Sequence, residues 1–106
     1  MVCDAQCRNA IGSNKNLLVA WFLMASYQYY ILDQSLISDE LFDAVCKELL
    51  ACWDYVHHMH KHLLLKSDLE AGTGHRLKAE DYPEMVKNAA TFLLPVAHRG
   101  KRRGKK

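Results

Sequence analysis

"LLVAWFLMASYQYYILDQSLISDELFDAVCKELLACWDYV", residues 17–56, decides the fold. Leu18, Phe22, Ala25, Tyr29 and Leu32 recur at helical spacing, and Leu17, Trp21 and Met24 widen the stripe. The pattern predicts a helix over about 14–33, capped by Ser13 or Asn14. An apolar face this wide calls for substantial burial. "DQSLIS", residues 33–38, has the composition of a turn. Ser38 suits an N-cap, and Asp39 and Glu40 follow where a helix dipole favours acids. Leu41, Val45, Leu49, Cys52 and Val56 then form a second stripe beside Phe42, Cys46 and Trp53. That stripe predicts a second helix from 39 to about 60. Two long helices joined by a linker of about five residues form an antiparallel hairpin.

Outward from the hairpin the signals are shorter. Residues 1–12 read as a lead-in of unassigned structure. "KSDLEAGTG", residues 66–74, reads as a short helical turn capped by Ser67 and stopped by Gly72. "AEDYPEMVKNAATFLL", residues 79–94, reads as a last helix, with Asp81 as cap and Pro83 in its first turn. No alternating strand and no internal repeat is visible. The expected fold is all-α: a long hairpin over about 14–60 and one or two shorter C-terminal helices. Residues 1–98 form one domain, followed by a disordered basic tail.

Composition bounds the function. The chain has 106 residues, half of them hydrophobic and a quarter charged, which fits one soluble domain with a modest core. The formal charge of +2 conceals an asymmetry. "RGKRRGKK", residues 99–106, carries six basic residues and no acid. Residues 1–98 carry eight basic against twelve acidic residues, a net charge of −4. Arg99, Lys101, Arg102, Arg103, Lys105 and Lys106 are therefore the candidate nucleic-acid contacts. The plainer alternative is a solvated end that aids solubility. The longest apolar run, Leu17 to Ala25, has nine residues. A membrane span needs about 20. With no secretory signal in "MVCDAQCRNA", the expectation is a cytoplasmic protein with reduced thiols and no membrane partner. Cys46 and Cys52 are expected as small core residues.

The corner of the hairpin carries more chemistry than a turn needs. Tyr29 and Asp33 share a face at the end of the first helix, beside Tyr30. Asp39 and Asp43 share a face at the start of the second, next to Phe42. An antiparallel hairpin brings these six together. Rings stack on a flat heterocycle, and carboxylates accept from amide and ribose hydroxyl donors. The set suits a nucleotide or a nicotinamide better than a bare phosphate. The local alternative is capping plus a surface ion pair from Asp43 to Lys47.

"YYILDQSLISDELFDAVCKEL", residues 29–49, resembles the Ia domain of NAD+-dependent bacterial DNA ligases, which carries a YYxxDxPxIxDxEYDxLxxEL-type block. The resemblance implies a helical domain that binds the nicotinamide mononucleotide (NMN) half of NAD+. It implies Tyr29 stacked on the nicotinamide ring and Tyr30 near the phosphate or ribose. Asp39 and Asp43 would accept from ribose or carboxamide, with Asp33 matching the block. Phe42 stands where the family has Tyr, and Ser35 where it has Pro. The ligase's K-x-D-G lysine has no counterpart, since "KSDL" at 66–69 puts Leu in place of Gly. No catalytic residue is therefore assigned, and no independent enzymatic activity is expected. Beyond residue 45 the chain resembles small phage and prophage proteins with an HKHL-like segment and a YPxxVKxAA ending. That resemblance implies an accessory or host-takeover factor in the bacterial cytoplasm, with a host or phage protein as a further possible partner.

"HHMHKH", residues 57–62, is the remaining motif. On a continuous helix, Asp54, His58 and His62 share one face and are candidate metal ligands, with His75 able to join. No Cys-x-x-Cys and no fourth ligand accompanies them, so no metal is assigned. A polar helix end is the plainer reading. A general acid–base role for His58 or His62 lacks a nucleophile partner.

Overall fold

The computed structural model describes residues 3–72 and 77–97, with side chains through residue 92. The basic tail and His75 lie outside the described residues. The fold is all-α, and no strand occurs among the described residues. Five α-helices follow in order among the described residues: α1 (Asp4–Ser13), α2 (Leu17–Ser26), α3 (Asp39–Ala51), α4 (Lys66–Ala71) and α5 (Glu84–Ala97). A π-helical turn, Tyr27–Ile31, continues α2. None of these helices is long and apolar enough to cross a membrane.

α2 is the axis of the molecule. Leu18, Val19, Trp21, Phe22, Leu23, Met24 and Ala25 are all buried, so every side of the helix is covered. α1, α3 and α5 supply the cover. Antiparallel pairing with α3 is fixed at two heights. The Lys15 ammonium meets Glu48 at one end, and the Phe22 and Phe42 rings stack 5.4 Å apart nearer the corner.

Three departures from the sequence expectation have physical causes. The lead-in is a helix. Cys3, Cys7 and Ile11 lie on one face of it and are buried against the core. It is also bonded to the linker: the Cys3 N–H donates to the Leu36 carbonyl at 2.7 Å, and the Ser38 N–H donates to the Asp4 carboxylate at 2.8 Å.

The second helix stops at Ala51, not near 60. Residues 52–58, Cys-Trp-Asp-Tyr-Val-His-His, all come from the weaker half of the helix-propensity order. The Lys61 ammonium stabilises the exit. It donates to the carbonyls of Trp53 and Val56 and stands 4.6 Å from the Trp53 ring centre. The Asn16 side chain accepts from the His57 N–H at 2.7 Å and holds the chain across the start of α2.

α2 also changes register before it ends. In the π turn the Leu32 N–H reaches back five residues to the Tyr27 carbonyl, at 3.1 Å. Asp33 then takes a left-handed backbone, φ 58°, and ends the run. The Gln34 N–H donates to the Gln28 carbonyl at 2.8 Å. That is one residue further back than an ordinary left-handed helix end would require.

The C-terminal helices follow, with shifted caps. Ser67 does not cap α4; the Leu65 N–H donates to Asp68 instead. Asp81 accepts from the Lys78 N–H and closes a 3-10 turn, Ala79–Asp81, leaving the Pro83 carbonyl to open α5. α5 is not a minor element: at 14 residues it is the longest of the five helices. Val86 and Ala90 bury one face of it.

Candidate functional site: a cleft at the hairpin corner

A cleft of about 270 Å³ opens where α2 ends and α3 begins. Five of the six corner residues singled out from the sequence line it: Tyr29, Tyr30, Asp39, Phe42 and Asp43. Each is placed by a local cause. The π turn carries Tyr29 and Tyr30 past the end of α2 and sets their rings edge to face, 4.9 Å apart at 87°. Tyr29 is 51% exposed, so its ring remains accessible. Ser38 caps α3 by accepting from the Leu41 N–H at 3.2 Å, which fixes Asp39 in the first turn and Phe42 and Asp43 in the next. Phe42 stacks its ring on buried Phe22, at an interplanar angle of 20°.

Asp33 has another place. It is exposed, and its left-handed backbone ends the π turn. The structure thus gives it a chain-turning role.

The remaining walls were not legible in the sequence. Ser35, Leu36 and Ile37 form the linker side, and Ala25 contributes from α2. Leu36 and Ile37 are buried, the former beneath its bond to Cys3. Gly72, at the end of α4, lines the cleft beside Asp43. Its role as a helix stop was readable, but its position at the corner depends on how α4 packs on α3.

Two carboxylates line the cleft and can accept from ligand donors; among the described residues no Lys, Arg or His lines it. Asp43 pairs with Lys47 at 3.1 Å, the surface ion pair expected from their spacing. Both side chains are more than half exposed, so the pair contributes only a few tenths of a kcal/mol. A ligand hydroxyl or amide can replace it at small cost. At about 270 Å³ the cleft lies near the lower end of the range for small-molecule pockets, which starts at about 300 Å³.

The histidine segment does not form the expected face. With α3 ended at Ala51, Asp54, His58 and His62 are not on one helix. His58 Nδ1 accepts from the His60 N–H at 3.1 Å, and His62 Nδ1 lies 3.1 Å from the Met59 carbonyl oxygen. Among the described residues no group of three or more His, Cys, Asp or Glu is arranged to hold a metal. Burial, then the neighbouring His60, pushes the His58 imidazole below its usual pKa.

Comparisons with protein-family models, with curated proteins and with solved structures find no match to this chain.

Proposed function

We propose that the corner cleft binds a nicotinamide nucleotide, NMN or the NMN half of NAD+, and that the chain is a non-catalytic accessory protein of phage type. The observation that carries this reading is the convergence of Tyr29, Tyr30, Phe42, Asp39 and Asp43 on one cleft. These are the positions at which the sequence resembles the ligase Ia block. In this reading the nicotinamide ring stacks on Tyr29, a residue that is half exposed. Asp39 and Asp43 accept from the ribose hydroxyls or the carboxamide. The oxidised ring is a cation, which suits a cleft with two carboxylates and aromatic walls. The phosphate points outward, away from Asp39 and Asp43. Phe42 supplies ring contact alone, since its inner face is engaged by Phe22.

Thermal melts with NMN test this directly. A ligand selective for the native state, present at 100 times its Kd, adds about 2.7 kcal/mol to stability. For a domain of this length that corresponds to a rise of roughly ten degrees or more in the melting midpoint. No rise at millimolar NMN overturns the reading.

A second reading rests on the charge asymmetry. Six basic residues in the last eight, attached to a body of net charge −4, suit an electrostatic contact with nucleic acid. Six phosphate contacts give a log–log salt slope of about −5 on duplex DNA. Deleting residues 99–106 abolishes that slope if the tail carries the contact. Salt-insensitive or tail-independent binding removes this reading.

A further inference from the structure

Gly72 answers two demands at once. It ends α4 with a left-handed backbone, φ 72°, and its N–H donates to the Leu69 carbonyl at 3.1 Å. A glycine at a helix end needs no other explanation. Yet this helix end stands at the cleft, and it comes from neither hairpin helix nor from the linker between them. A Cβ placed on Gly72 lies 3.6 Å from Oδ1 of Asp43, in van der Waals contact. With hydrogen there instead, residue 72 places no side-chain carbon against that carboxylate oxygen.

We propose that Gly72 is a specificity-determining residue of the cleft: its missing side chain leaves Asp43 Oδ1 open to a hydroxyl or amide donor on the ligand. This rests on the reading of the cleft as a nucleotide site. Asp43 is held from its own helix by Lys47 alone among the ion pairs described, and that pair is exposed and exchangeable. The α4 side is therefore the approach that a side chain at 72 would shut. α4 thus belongs to the binding site although none of its own residues carries a ligating group there. The ligand class this selects bears a hydrogen-bond donor at its edge, as a ribose or a carboxamide does.

Two substitutions in the full chain separate helix ending from cleft gating. Asn adopts the left-handed backbone more readily than other L residues, so Gly72→Asn preserves the end of α4. Its amide can donate to Asp43 and occupy the acceptor the ligand needs. Gly72→Ala adds only the Cβ, in a backbone that strains it. Calorimetric titration with NMN, beside a thermal melt of each variant, gives the readout. The expected result is a G72N melt within a few degrees of wild type, an NMN Kd raised about tenfold, as for one lost hydrogen bond, and a smaller rise for G72A. Wild-type binding that G72N matches, in a folded variant, overturns the role of Gly72 and leaves the nucleotide reading standing. No NMN binding by wild type overturns both.

Discussion

The Gln28 carboxamide, fully buried in the π turn, donates to the Ala90 carbonyl of α5 at 2.6 Å. The backbone carbonyl of the same residue accepts from Gln34. Gln28 thus ties the turn that carries Tyr29 and Tyr30 to the helix behind it and to the linker ahead. Edge-on packing of Tyr27 against buried Tyr82, 5.1 Å between centres, reinforces the same seam. Gln28→Ala loses this bond and leaves a cavity, so about 2–4 kcal/mol of stability is expected to go. Urea unfolding measures it. A loss below about half a kcal/mol contradicts a locking role, since an exposed position would give as much.

Asp4 stabilises the corner from the other side. Its carboxylate accepts from the Ser38 N–H, and Arg8 adds only an exposed contact at 3.9 Å. Asp4→Ala leaves a half-buried N–H without its acceptor, a loss of about 1–2 kcal/mol. Asp4→Asn keeps an oxygen in place and is expected to lose less. In amide exchange, Ser38 exchanges faster in the alanine variant while mid-helix α3 amides change little. Equal protection of Ser38 in both proteins contradicts the anchor.

The thiols are expected to be quiet in the native protein. Burial, then the nearby Asp4, pushes Cys7 up to about 12, and burial, then Asp43, does the same to Cys46. In the unfolded chain such thiols ionise near 9. Between those values the unfolded state has released protons that the native state retains. Stability from these groups is therefore complete below pH 9 and falls as pH rises toward 12. At pH 8, alkylation followed by mass spectrometry should find Cys52, the half-buried one, modified first. Cys7 and Cys46 should react at the rate of global unfolding. Their rapid labelling under native conditions contradicts the packing of α1 and α3 on α2.

His58 works at the other end of the pH range. Its lowered pKa means the unfolded chain takes up the proton first as pH falls. The contribution is complete above the unfolded value of 6.5 and is lost as pH drops through it toward the folded value. Protonation also removes the Nδ1 acceptor that holds the His60 N–H. The melting midpoint is expected to decline between pH 7 and pH 5, with a shallower decline in His58→Asn. Superimposable profiles for the two proteins contradict the assignment.

Legibility followed how local the cause was. The stripes at Leu18, Phe22 and Ala25 and at Leu41, Val45 and Leu49 depend on spacing alone, and all six residues are buried. Ser38 as cap, the Asp43–Lys47 pair and Gly72 as a stop are equally local. The lead-in helix was legible only if Cys3 and Cys7 are counted with Ile11 as an apolar face. The end of α3 depended on Lys61, ten residues on, and the π turn on α5, far along the chain. At the corner, sequence named the rings and carboxylates. It could not name the walls, because Leu36 is set by α1 and Gly72 by the packing of α4 on α3.

The nucleotide reading of the corner is tested most directly by an NMR titration of the full chain with NMN. The account predicts saturable shifts centred on Tyr29, Tyr30, Asp39, Phe42, Asp43 and Gly72, the residues around the cleft. Asp43→Asn should weaken them by about tenfold, as loss of a charge-assisted acceptor requires. Unchanged spectra at millimolar NMN, or shifts confined to a surface away from these residues, would contradict it.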